Sequence, residues 1–234
     1  MPSLTTCTNL GAGVFACAFA VEGAVGLGAL MIILAVLLDS VDGALARRLD
    51  VASDFGGQLD SLADVISFGV APAVVIGVLV PEEFEFLGWG IVTLFPVCSA
   101  WRLARFNVQA QPAGMEHADF TGLPTTGAGG AAAAAVLVHL SLAETGFTLG
   151  VSALPPFLLL LAFLMVSRFP YKHIGSLLSR LPLSVALAWC AVLMAAALLW
   201  HHEVIFAVVF WGYALSGPAA TVGEKIMASH QAGP

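Results

Sequence analysis

Seven aspartates occur in the chain, and six of them, Asp39, Asp42, Asp50, Asp54, Asp60 and Asp64, lie within positions 39 to 64. Asp39 and Asp42 are three positions apart and Asp60 and Asp64 four, so each pair shares one face of a helix. Four carboxylates brought together repel one another unless a cation compensates them, and hard oxygen donors suit Mg²⁺ or Mn²⁺. Between the pairs stands Gly43-Ala44-Leu45-Ala46-Arg47. On a helix continuing from Asp39, residues 39, 42, 43, 46 and 47 form one stripe. Gly43 and Ala46 leave room there for a flat or bulky ligand, and the Arg47 guanidinium suits a phosphate. Gly56 and Gly57 give similar clearance one turn before Asp60. This is the pattern of a divalent-cation site that handles a phosphate group.

The elements that must position these residues are apolar. Hydrophobic residues make up 59% of the chain and charged ones 10%, with mean hydropathy +0.97; a soluble domain carries about a quarter charged residues. An ordinary soluble enzyme is excluded. Apolar stretches near 8–21, 23–38, 65–80, 87–101, 123–142, 147–167, 182–200 and 204–220 predict eight transmembrane helices, and an all-α integral membrane protein. At ~20 residues per span they leave no room for a separate globular domain. The connections alternate in sign. With a cytoplasmic amino terminus, all eight Lys and Arg residues fall on the cytoplasmic side, and the opposite face carries only Glu and His. Both termini are then cytoplasmic, in the inner membrane. Sixteen residues, Gly23–Leu38, precede Asp39, and sixteen, Val65–Val80, follow Asp64. At ~1.5 Å per residue both pairs sit about 24 Å from the outer face, near the cytoplasmic lipid phosphates.

Other features point to no chemistry. A net charge of −7 and the lack of a basic run exclude nucleic acid as a partner. Cys7, Cys17, Cys98 and Cys190 form no CxxC pair. The first ten residues contain no Lys or Arg, unlike a secretory signal peptide. Gly127-Ala128-Gly129-Gly130 and the five alanines after it read as a helix allowing close contact in lipid. His139, His201 and His202 read as interfacial residues at the outer ends of spans.

The segment from Asp39 through Asp42-Gly43, Ala46-Arg47 and Gly56 to Asp60 and Asp64 resembles the signature of the CDP-alcohol phosphotransferase family, D-x2-D-G-x2-A-R-x8-G-x3-D-x3-D, at every fixed position. The flanking Asp64-Val-Ile-Ser67-Phe68-Gly69-Val-Ala-Pro72, Arg102-Leu-Ala-Arg105-Phe-Asn107 and Phe120-Thr-Gly122-Leu-Pro124 are similar to its phosphatidylserine synthase branch. The opening through Asn9 is similar as well, although Ser3 departs from a common Pro-Asn pair there. Resemblance covers residues 1–173, implying a six-helix membrane core, with 174–234 as two additional helices.

The resemblance implies that Asp39, Asp42, Asp60 and Asp64 hold two divalent ions, Mg²⁺ or Mn²⁺, with Asp64 also the general base. It implies that Gly43, Ala46, Arg47 and Gly56, with Asn9, border the CDP group. The implied substrates are CDP-diacylglycerol and L-serine, in contact with membrane lipids, and the implied assembly is a homodimer. Serine carries a carboxylate for which a guanidinium is the natural partner. Arg102 and Arg105, three apart, with Asn107 just beyond, are the candidate acceptor site, and topology anchoring is their alternative role. Rival readings are the same chemistry with glycerol 3-phosphate or an inositol phosphate, which would call for more basic residues, and a membrane cation transporter, which would favour an inverted repeat that the chain lacks. Prenyltransferases also use membrane aspartates, but with other spacings.

Overall fold

A computed structural model describes residues 4–49, 54–109, 120–146, 151–171 and 202–231. The seventh predicted span, 182–200, lies outside the described residues. The described residues are helical apart from short turns and one two-residue strand pair. Helix α1, Leu4–Val21, turns at Gly23 into α2, Val25–Leu49. The two bury small residues, Ala12, Ala16 and Ala20 on α1 and Ala29 and Ala35 on α2, beside the branched Ile32 and Val36. Without a hydrophobic driving force in lipid, such close approach supplies the van der Waals contact that holds helices together.

The predicted third span differs from expectation. It begins not after the second acid pair but before it, at α3, Asp54–Asp64. The run then continues through a π-helical turn, Val65–Val70, into α4, Ala71–Gly77. Pro72, in the first turn of α4, has no N–H to donate to the carbonyl four residues back. The wider turn before it keeps the helix continuous. Asp60 and Asp64 therefore lie within the membrane-length run Phe55–Gly77.

After Pro81 the chain forms α5, Glu85–Gln109, then strand β1, Phe120–Thr121, then α6, Thr125–Glu144. Helix α7, Leu154–Val166, leads to strand β2, Pro170–Tyr171, and the last described helix, α8, is His202–Gln231. Strands β1 and β2 pair antiparallel, Phe120 opposite Tyr171 and Thr121 opposite Pro170. The turn out of β1 needs Gly122, whose φ of 89° lies in the left-handed region and whose missing side chain leaves space for the Met165 carbonyl. Its N–H donates to the Phe169 carbonyl at 2.9 Å. The Tyr171 hydroxyl ties the strand pair to α8 by donating to the Ala214 carbonyl at 2.8 Å. Burial, with the Tyr213 phenol nearby, pushes Tyr171 up to about 12.

Helix α6 is the centre of the assembly. Of its span 61% is buried, against 11% for the span of α8. Gly127 and Gly130 admit the rings of Tyr213 and Phe210 from α8, and Trp211 Nε1 donates to the Ala131 carbonyl at 3.0 Å. Among the described residues, four helices are long and apolar enough to cross a membrane, Phe55–Gly77, Phe86–Val108, Thr125–Glu144 and His202–Gly223. Three shorter apolar helices, Thr6–Val21, Val25–Ser40 and Leu154–Val166, accompany them. Phe15, Phe86, Leu87, Trp101, Phe163 and Val208 point outward. So much exposed apolar surface suits hydrocarbon rather than water, and the chain is an integral membrane protein.

Candidate active site

Asp39 follows fourteen apolar or small residues on α2, Val25–Leu38. Asp60 and Asp64 share a face of α3. The packing of α1, α2 and α3 brings the three together, and one carboxylate oxygen from each lies within 4.8 Å of the others. Oxygens bound to a common Mg²⁺ at ~2.1 Å lie at most about 4.2 Å apart. A small contraction would thus place all three on one ion, and the donor set, oxygen only, is that of a hard divalent cation. Asp42, Gly43, Ala46 and Arg47 continue along α2, but their side chains lie outside the described residues. Gly56 lies in the first turn of α3, and Gly57 has open space beside it.

The wall around the triad is buried and polar. Asp64 is 9% exposed and Asn9, from α1, 1%. Asn9 Nδ2 donates to Asp64 Oδ1 at 3.5 Å, and the Asn9 carbonyl accepts from Ser67 Oγ at 2.9 Å. From α6, Thr126 Oγ1 donates to Asp39 Oδ2 at 3.4 Å. The neighbouring Thr125 accepts from Arg102 Nη1 at 3.0 Å. Arg102 is itself buried and within electrostatic reach of Asp64. Among the described residues, Arg102 thus adds a cation to the wall beside the carboxylates.

The expected acceptor group divides in the structure. Arg105 spreads its guanidinium over backbone carbonyls, with Nη1 donating to Val166 O at 3.1 Å and Nη2 to Thr121 O at 2.9 Å and Met165 O at 3.5 Å. It closes the end of α7 onto β1. Asn107 Nδ2 donates to Ser61 Oγ at 2.9 Å, joining α5 to α3 on the turn between Asp60 and Asp64. Of the three, Arg102 is the one within electrostatic reach of Asp64.

Sequence reasoning missed Ser67, Thr125 and Thr126 as site residues. A signal for the threonines was present: Pro124 fixes the start of a helix, so the hydroxyls after it occupy the first turn and face whatever lies at that end. Nothing local marked Ser67, whose partner is 58 positions away.

This arrangement of paired acids on two helices defines a class. The chain belongs to the CDP-alcohol phosphatidyltransferase family, which it matches over residues 1–215. It is 32% identical to the CDP-diacylglycerol–serine O-phosphatidyltransferase of Mycobacterium tuberculosis, over 98% of this chain and 81% of that one. It is 34% identical to the archaetidylserine synthase of Methanothermobacter thermautotrophicus, over 76% of this chain and 71% of the relative. The CDP-diacylglycerol–serine O-phosphatidyltransferase of Bacillus subtilis is 29% identical, over 74% and 90%.

Proposed function

We propose that this chain is a CDP-diacylglycerol–serine O-phosphatidyltransferase, which moves the phosphatidyl group of CDP-diacylglycerol to L-serine and releases CMP. The observation that carries the reading is the convergence of Asp39, Asp60 and Asp64 within 4.8 Å beside the buried Arg102, in a chain whose relatives over nearly its full length bear that name. Two divalent ions, Mg²⁺ or Mn²⁺, would neutralise the diphosphate and stabilise charge at the attacked phosphorus. Asp39, Asp42, Asp60 and Asp64 would hold them. Gly43, Ala46, Arg47 and Gly56 would border the CDP group, and Asn9 would close that end of the site.

In the reaction, Asp64 takes the proton of the serine hydroxyl, whose oxygen bonds to the β-phosphorus. The bond from that phosphorus to the bridging oxygen breaks, and CMP leaves with the electron pair. No covalent enzyme intermediate is needed. Arg102 has the strongest claim on the serine carboxylate, because it lies within electrostatic reach of Asp64 while Arg105 is occupied by carbonyls. Asn107 shapes the same wall through Ser61.

The membrane arrangement belongs to the same proposal. Eight spans in the inner membrane, both termini cytoplasmic, place the site on the cytoplasmic face, where the charge pattern puts every Lys and Arg. Residues 1–173 form the six-helix core and 174–234 two additional helices, and the working assembly is a homodimer. The test is purified protein with CDP-diacylglycerol and a panel of acceptors, measuring CMP release and lipid product. Turnover with serine is expected; turnover with glycerol 3-phosphate or an inositol phosphate alone would move the protein to another branch, and no CMP release from any acceptor would reject the reading.

A further inference from the structure

The π-helical turn Val65–Val70 begins at the residue after Asp64 and is held from three sides. On α1, Gly13 lies so close that a Cβ there would meet Ser67 Cα at 2.7 Å, and Ser67 Oγ bonds the Asn9 carbonyl. On α6, a Cβ at Gly129 would meet Phe68 Cα at 2.9 Å and the Phe68 carbonyl at 3.1 Å. From α5, Ser99 and Pro96 lie against Gly69. Ser67, Phe68 and Gly69, the centre of the turn, are all buried. At Gly13 and Gly129 these contacts include the backbone of the turn, Ser67 Cα, Phe68 Cα and the Phe68 carbonyl, which cannot yield by rotating a side chain.

A π turn holds one residue more than an α turn. It therefore sets the rotation of everything before it relative to everything after it. Before it stand Asp60 and Asp64; after it stands α4, buried through Ala71, Pro72, Ala73, Val75 and Ile76. A relaxed or shifted turn would swing the carboxylates of α3 while leaving α4 docked. We propose that this turn, gripped by Gly13 and Gly129, is the positioning device that aims the Asp60 and Asp64 carboxylates of α3 at Asp39 of α2. Gly13, Ser67 and Gly129 are then positioning residues that touch no substrate. The inference rests on the role proposed above for Asp64.

Two adjacent glycines of one helix supply the test. Gly129→Ala pushes on the π-turn backbone, whereas Gly130→Ala pushes on the Phe210 ring of α8. Both add one methyl group to α6. On full-length protein in detergent, three quantities are read: melting temperature, the rise in melting temperature on adding Mn²⁺ alone, and kcat at saturating CDP-diacylglycerol and serine. Gly129→Ala is expected to lower kcat about 10- to 100-fold, the scale for displacing a reacting group by roughly an ångström, and to diminish the Mn²⁺-induced rise. Gly130→Ala is expected to lower the melting temperature while keeping both. Equal behaviour of the two variants overturns the proposal. Should Gly129→Ala not fold, Ser67→Ala, which removes the bond to Asn9 without adding volume, decides. A loss of kcat and of the Mn²⁺ response supports the proposal, and normal values of both overturn it. If the parent releases no CMP, the enzymatic reading has failed, and the Mn²⁺ response alone still judges the positioning role.

Discussion

Asn9 and Asp64, 55 positions apart in sequence, meet in the buried wall of the site, where Asn9 Nδ2 donates to Asp64 Oδ1 at 3.5 Å. A hydrogen bond to a charged acceptor contributes about 1.5 to 3 kcal/mol. Asn9→Ala is therefore expected to lower kcat about 10- to 100-fold if its work is to orient Asp64. A rise in the KM for CDP-diacylglycerol with kcat unchanged would instead assign Asn9 to the nucleotide. Steady-state kinetics with each substrate varied in turn separates the two.

The aspartates should divide by role. Asp39→Ala and Asp60→Ala are expected to weaken the Mn²⁺-induced stabilisation and nucleotide-lipid binding together with turnover. Asp64→Asn keeps an oxygen at the same place but cannot accept the proton, so binding should persist while turnover falls ~10²- to 10⁴-fold, the usual size of a general-base contribution. Near-normal turnover would remove Asp64 as the base. In the parent, a chelator should abolish activity and Mg²⁺ or Mn²⁺ restore it; full activity in metal-stripped enzyme would contradict the reading of the triad.

Arg102 and Arg105 should respond differently to the same change. Lys keeps the charge but loses the planar fork. Arg102→Lys is expected to raise the serine KM with CDP-diacylglycerol binding nearly unchanged. Arg105→Lys gives up hydrogen bonds to carbonyls of β1 and α7, so it should cost about 1 to 2 kcal/mol of stability with serine KM unaffected. Serine titrations with melting curves for both variants check this; a serine KM raised only in Arg105→Lys would reverse the assignment.

Topology is tested by labelling. In a cysteine-free background, Arg48→Cys should react only when the cytoplasmic face is open to a membrane-impermeant reagent, and Glu83→Cys from the outside of intact cells. The opposite pattern would overturn the orientation drawn from the charges.

Sequence alone determined which aspartates share a helix face and the solvent of the helices that carry them. The spacings of Asp39 with Asp42 and of Asp60 with Asp64 are properties of one helix turn, and a turn is local. Hydropathy likewise reports on short windows, so each apolar helix among the described residues overlaps an expected span, although the third starts at Phe55, before the second acid pair rather than after it. The tertiary structure decided which side chains meet across helices. It placed Asp39 of α2 against Asp64 of α3, separated Arg102, beside the carboxylates, from Arg105, against backbone, and enlisted Asn9, Ser67, Thr125 and Thr126 from three further parts of the chain. Arg102 and Arg105 are equal in type and one turn apart; only the helices packed around α5 distinguish them. The π turn after Asp64 was equally hidden, because Pro72 permits a kink or a stop as readily as a wider turn. The close seats at Gly13 and Gly129 select among these, since only packed helices bring the backbone of α1 and α6 within reach of Ser67 and Phe68.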